Sequence, residues 1–263
     1  MIRTLFRCAL VVACLGLISA AAAAQDFERS YRLSAGGRIN IRNISGNVEV
    51  AGYDGDAVVV SGYKEGRDRD LVEVEDTSGG NRVDLRARYP ENCRCSASIR
   101  FRVQVPRSVN FDFDEIASIS GGVEVSGVTG SLHAKSTSGR VMVRDVAGTI
   151  NASSISGGVR VQNASGSVSA KSTSGNVEVE IVRLDGTQRM EFSSISGSVN
   201  VKLPANLDAE VEMSTVSGSL ETEFPMTIEG QGAGRRSVRG RIGSGARTLR
   251  LSSVSGSISL RRS

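Results

Sequence analysis

The chain has 263 residues, a formal net charge of +4, one His, no Trp and 4% aromatic residues. With Gly counted as apolar and Tyr set aside, about 49% of it is apolar, the proportion of an ordinary globular protein, and 30 Gly with 4 Pro stay far below the low-complexity level. Collagen and disordered linker are therefore excluded, and the lone His and sparse aromatics argue against His-dependent catalysis and against stacking platforms for bases or sugars.

Arg3 and Arg7 precede an apolar run from Cys8 to Ala24 that ends in small residues, the layout of a secretory signal peptide cleaved after Ala24. Two alternatives stay open at this end. One is a retained anchor, for which the run is short of the ~20 residues that span a bilayer. The other is acylation of Cys14 in the box Val11-Val12-Ala13-Cys14. Removing residues 1–24 takes away two Arg and no acid, leaving +2, so net charge names no partner. No later stretch approaches ~18 continuous apolar residues, so no transmembrane span is expected in the mature chain. The expected location is exported, either periplasmic, on the cell surface or secreted. Residues 25–263 read as one β-repeat domain, most regular at 117–183.

In chain order, the first patterned phrase is NISGNVEV around Gly46, with Gly55 nine residues on. LVEVEDTSGGNRVDLRA, residues 71–87, then reads as a hairpin with DTSGGN as its turn. Cys93 and Cys95 form an isolated C-x-C. In an oxidising compartment it is expected to close as a local disulfide, which requires the segment to bend, because i and i+2 of an extended strand stand near the upper limit of disulfide reach. A metal or redox pair is the alternative, with only His133 to complete it.

From Gly121 one phrase returns as SISGGVEV, STSGRVMV, SISGGVRV and STSGNVEV, its Gly121, Gly139, Gly157 and Gly175 spaced by 18. Gly130, Gly148 and Gly166 halve the interval, so the unit is nine residues with an 18-residue alternation. Apolar or small residues stand two and four positions after each glycine, as in Val123/Val125, Leu132/Ala134, Val141/Val143 and Ile150/Ala152. Such alternation buries one face of a short strand.

The sequence thus predicts an all-β fold: a parallel β-solenoid or β-roll-like stack with nine-residue half-coils and 18-residue coils, and hairpin insertions near both ends. Large pairs alternating with large-plus-Ala pairs, and no aromatic between Phe113 and Phe192, predict a thin core. The glycines are expected at turns that need positive φ, and Ser136, Thr137 and Ser138 are expected to satisfy turn backbone groups. Outward columns Glu124–Met142–Arg160–Glu178 and His133–Asn151–Ser169 follow from the offset. Later phrases at Gly197, Gly218 and Gly256 are spaced by 22, 21 and 38, which reads as insertions interrupting the register.

The iterated x-S-G-x-V-x-V phrase, the V-x-[VL]-P segments at Pro106 and Pro204, and the closing GRIGSGARTLRLSSVSGSISL resemble the bacterial "putative adhesin" family over roughly residues 30–262. The resemblance implies an exported, envelope-associated, solenoid-like domain with no catalytic residues to carry over.

The chemistry of the residues points away from cofactors and metals. A calcium β-roll places an Asp in each turn, whereas S-x-S-G offers no acid there. A polysaccharide-active β-helix enzyme is the alternative reading. In the regular section it has only Glu124, Asp145, Glu178 and Glu180 as carboxylates, and Glu178 with Glu180 reads as a solvated face. After the last acid, Glu229, come Arg235, Arg236, Arg239, Arg241, Arg247 and Arg250, followed by Arg261 and Arg262. These arginines could form a patch for anionic surfaces, or a charged rim that protects a strand edge. The sequence therefore reads as a non-enzymatic envelope module, structural or adhesive, binding a glycan, an anionic surface or an envelope protein and not nucleic acid. The competing binding role is a periplasmic partner of an envelope-stress system.

Overall fold

A computed structural model describes residues 25–186, 188–231 and 236–263. The expected signal peptide and Cys14 lie outside the described residues. These residues contain 22 β-strands, one 3-10 turn at Arg69–Leu71 and no α-helix.

The alternation in the sequence becomes burial. Val123, Val125, Val141, Val143, Val159, Val161, Val177 and Val179 are inside, in one continuous core with Leu132, Ile150 and Val168 from the intervening half-coils. Strand pairs in the regular section are parallel and offset by 18 residues: Thr129 faces Ala147, which faces Ser165. The expected all-β stack of two half-coils is thus the observed one. Its three largest buried rings, Phe101, Phe113 and Phe192, fall at or beyond the limits of the aromatic-free section.

Two sheets enclose the core. From one end of the stack, the first sheet runs Glu73–Asp76, Arg82–Arg88, Arg38–Asn43, Asn110–Ser118, Thr129–Ser136 and Ala147–Ser154. It continues through residues 165–172, Met190–Ser194, Thr248–Ser255, Ala209–Ser217, Arg236–Ile242 and Thr227–Gln231. The second runs Phe27–Tyr31, Val58–Glu65, Ser98–Pro106, Val48–Tyr53, Val123–Ser126, Val141–Arg144 and the start of Val159–Ser172. It ends with Val177–Arg183, Val199–Leu203, Ile258–Arg262 and Leu220–Thr222. The long strand Val159–Ser172 passes from one sheet to the other at Asn163, whose φ is 51°. Asp145, 18 residues earlier, has φ 53°. Asx residues tolerate this left-handed geometry better than other side chains.

Coils follow chain order only from residue 110 to 203. At one end the coil 82–106 stacks outside 38–53. At the other the coil 248–262 lies between 190–203 and 209–222. The spacing of 22 falls where coils still follow chain order and records a longer connection between Val177–Arg183 and Met190–Ser194, the 38 spans the inserted pair Thr227–Gln231 and Arg236–Ile242, and at the 21 and the 38 the stacking order changes as well. The segment VQVP ends the stack strand Ser98–Pro106 and NFDFDEIAS is the stack strand Asn110–Ser118, with Pro106 and Pro204 at corners. The doubling back also supplies antiparallel strands, Glu73–Asp76, Val58–Glu65 with Phe27–Tyr31, and Arg236–Ile242 with Thr227–Gln231. They occupy positions where a parallel stack would leave unpaired backbone groups.

Two residues of S-x-S-G join the coils. The first serine is buried and bridges adjacent coils. Ser154 Oγ donates to Gly139 O at 2.8 Å and accepts from Gly157 N at 2.9 Å, and Ser136 and Ser172 repeat this. Ser253 and Thr215 donate in the same way to Gly197 O and Gly256 O across the reordered end. The glycine is demanded by proximity: a Cβ on Gly139 would lie 2.2 Å from Gly121 O. Positive φ, the expected cause, does not apply at Gly139. It does at the alternate glycine Gly148, where φ is 131°.

Candidate functional site

The two outer faces are chemically different. On the first sheet, His133, Asn151 and Ser169 stack in register, flanked by Ser131–Thr149–Ser167 and by Lys135–Ser153–Lys171. Period-two alternation turns these side chains outward, because Leu132, Ala134, Ile150, Ala152, Val168 and Ala170 fill the core. The columns His133–Asn151–Ser169 and Lys135–Ser153–Lys171, with Asp114 and Glu115, line a shallow groove of about 450 Å³. His133 is exposed and its Nε2 lies 3.5 Å from Asn151 Nδ2, so its neighbour is an amide and not a serine hydroxyl. Lys171 Nζ donates to Glu191 Oε2 at 3.0 Å. The groove carries carboxylates at one end, amide and hydroxyl groups in its middle and ammonium groups along one side.

The second sheet carries paired charges. The expected column Glu124–Met142–Arg160–Glu178 is present in register. Arg160 Nη2 pairs with Glu178 Oε2 at 2.6 Å, and Arg144 pairs with Glu124. These pairs are about 40% exposed, where an ion pair contributes ~0–1 kcal/mol. A groove of about 300 Å³ lies over Arg160, Gln162, Glu178, Glu180, Asn200, Lys202 and Arg261. Of the carboxylates weighed for catalysis, Glu124 and Glu178 are paired with arginines, Glu180 stands beside Lys202, and Asp145 accepts from Asn163 Nδ2. Among the described residues no group of three or more His, Cys, Asp and Glu is placed to hold a metal ion.

The C-terminal arginines are interleaved with acids. Arg239 Nη2 pairs with Glu210 Oε1 at 2.7 Å and Arg250 Nη2 with Glu212 Oε1 at 3.6 Å. Arg236 and Arg247 donate to the carbonyls of Gly218 and Gly186. Arg241 lies on the same strand, and Arg235 lies outside the described residues. Glu210 and Glu212, remote in sequence, bring negative charge to a segment that looks purely basic when read along the chain. Cys93 and Cys95 sit in an irregular segment turned by Asn92, with φ 57°, which brings their Cα atoms to 5.1 Å, within disulfide reach.

Three polar anchors had no signal in the repeat. Asp84 is 3% exposed and receives Arg42 Nη2 at 2.6 Å and also Arg82. Tyr31 donates to Asp76 Oδ2 at 2.7 Å, and burial, aided by this bond, pushes its phenol well above the usual range. Asp208 accepts from Ser244 Oγ at 2.7 Å, Gly245 N at 2.6 Å and Ala246 N at 3.1 Å. These bonds, the Ser244 hydroxyl foremost, hold its carboxyl below the usual carboxylate range. Apart from Arg82, which stands two positions before Asp84 on the same strand, these contacts join residues 36–45 positions apart in the end segments where the repeat is interrupted.

The family model described as Toastrack DUF4097 matches residues 38–261. The chain belongs to the Toastrack DUF4097 family. Several solved structures resemble this Toastrack chain. A "putative adhesin" from Bacteroides fragilis is 16% identical, with 90% of this chain and 96% of that one covered and a TM-score of 0.46. A "putative cell adhesion protein" from Clostridium sporogenes is 9% identical, with 90% and 99% covered and a TM-score of 0.45. A "putative adhesin" from Parabacteroides distasonis is 11% identical, with 89% and 96% covered and a TM-score of 0.38. No curated protein matches the chain. Among the described residues of this Toastrack chain, no helix is long and apolar enough to cross a membrane.

Proposed function

We propose that this Toastrack chain is a non-enzymatic, exported module of the cell envelope, periplasmic or at the surface. It holds an extended envelope glycan along the first sheet by many weak polar contacts, which is adhesion in the physical sense. The observation that carries this reading is the in-register column His133–Asn151–Ser169 with its flanking hydroxyls and ammonium groups. Successive coils repeat a donor or acceptor every ~4.8 Å, the strand spacing of a sheet. A regular polymer meets such a face at several points at once, and linked weak contacts add through effective concentration. The proposed disulfide Cys93–Cys95 fastens the loop beside the first-sheet end strands and belongs to an oxidising compartment.

The test is retention of the purified chain on immobilised peptidoglycan and lipopolysaccharide, compared with the triple variant His133→Ala, Asn151→Ala, Ser169→Ala. At least tenfold weaker retention at unchanged thermal stability is expected. Equal retention of the variant, or capture of a single envelope protein with no glycan retention, overturns the reading in favour of another face or a protein partner.

A further inference from the structure

The middle residue of S-x-S-G points away from the core. Those residues stack, in the order of the coils, as Ile44, Ile119, Thr137, Ile155, Thr173, Ile195, Val254 and Val216. Backbone bonds fix the register: Ser120 N to Ile44 O, Ser138 N to Ile119 O, Ser156 N to Thr137 O, Ser174 N to Ile155 O, Ser196 N to Thr173 O and Ser255 N to Ile195 O. Val216 stands opposite Val254 through the pairs Thr215–Ser253 and Ser217–Ser255. The six aliphatic members are 36–52% exposed. The result is a single apolar stripe along one corner of the stack, about 34 Å long over seven strand spacings. Scattered exposed aliphatics need no explanation. A continuous stripe of this length reaches the several hundred Å² that mark interaction sites.

We propose that this corner is a self-association surface and that its occupant is a second copy of the chain, docked antiparallel about a two-fold axis. The first argument is shape. The central five residues alternate Ile119, Thr137, Ile155, Thr173, Ile195. A two-fold axis across the stripe between Ile155 and Thr173 sets Ile155 against the partner's Thr173, Thr137 against the partner's Ile195, Ile119 against the partner's Val254 and Ile44 against the partner's Val216. Each isoleucine of the alternating section thus meets a smaller residue, while a parallel dimer would set isoleucine on isoleucine.

The second argument is charge. Two residues before the stripe runs the column Arg42, Ala117, Lys135, Ser153, Lys171, Ser193, Ser252, Ser214. The same axis brings Arg42 to the partner's Ser214, Lys135 to the partner's Ser193 and Lys171 to the partner's Ser153, so no two cations meet. On the other side Ser120, Ser138, Ser156 and Ser174 form an uncharged rim. The column Lys135–Ser153–Lys171 is shared between the docked rim and the polar groove, and docking leaves the His133–Asn151–Ser169 column of both copies open to a polymer.

Sedimentation of the purified chain from 1 to 100 µM should show a monomer–dimer equilibrium. Ile155→Lys with Ile195→Lys should weaken it at least 100-fold while leaving circular dichroism and thermal unfolding unchanged, because both sites are exposed. Orientation is read by mixing separately purified Ile44→Cys and Val216→Cys chains under mild oxidation. A mixed covalent dimer that neither chain forms alone is expected. A monomer at 100 µM, a dimer indifferent to the double Lys variant, or cross-linking of the Ile44→Cys chain with itself overturns the proposal.

Discussion

Between residues 116 and 179 each coil copies its predecessor at an 18-residue offset and is tied to it by one serine hydroxyl and one glycine with no room for a side chain. Toward the two ends the coils change order and antiparallel strands appear. There, individual carboxylates such as Asp84 and Asp208 add connections that the repeat lacks. The contrast teaches that periodicity suffices to propagate a stack and not to terminate it. Propagation needs only that each coil offer the next what it received. Termination needs side chains that satisfy groups no further coil will cover.

The largest expected effect breaks the middle. Gly139→Ala would force a Cβ to within 2.2 Å of the Gly121 carbonyl, backbone that cannot move without displacing the neighbouring coil. A loss of about 3 kcal/mol or more is expected in denaturant melts. Gly80→Ala, in the hairpin turn near one end, meets nothing within 4 Å and bears only its φ of +59°, so about 1 kcal/mol is expected. Equal losses at the two sites would erase the distinction between middle and end.

Next comes the serine. Ser154→Ala strands a carbonyl and an N–H in the corner and should cost roughly 1–3 kcal/mol. Ser156→Ala, two residues on and exposed, should stay within about 0.5 kcal/mol. A thermal-shift comparison of the two variants separates a buried bridge from a surface hydroxyl.

The smallest effect sharpens the description of the C-terminal end. Asp208 has a folded carboxyl pKa below its unfolded value, so its contribution is complete above the ordinary carboxylate range and disappears as pH falls through the lowered value. Protection of the Gly245 and Ala246 amides, taken relative to the intrinsic exchange rate at each pH, should therefore fall in acid, and Asp208→Asn should show lower protection already at neutral pH. Protection insensitive to both would remove Asp208 as the clamp of that turn.

Most of the middle was legible because its physics is local. Val141 and Val143 stand two apart, and one strand's alternation names its own buried face. The stacked columns through His133 and Arg160 follow from adding 18. The ends were not legible, because the contact between Gly46 and Gly121 spans 75 positions and that between Gly197 and Gly256 spans 59. No local pattern states which coil lies beside which. Position also misleads about charge: the arginines from Arg236 to Arg250 form a basic segment in sequence, while parallel and antiparallel pairing set Glu210 and Glu212 among them. The glycine of S-x-S-G was identified as a corner residue for the wrong cause, since a need for close approach and a need for positive φ look the same in a sequence.

The polar column of the first sheet contains the chain's single histidine, which makes the proposed binding face directly observable. The imidazole resonances of His133 can be followed by NMR while soluble peptidoglycan fragments or lipopolysaccharide are added. A saturable shift with the same apparent Kd as bulk binding is predicted. Binding that saturates while the His133 signals stay in place would contradict the assignment of this face.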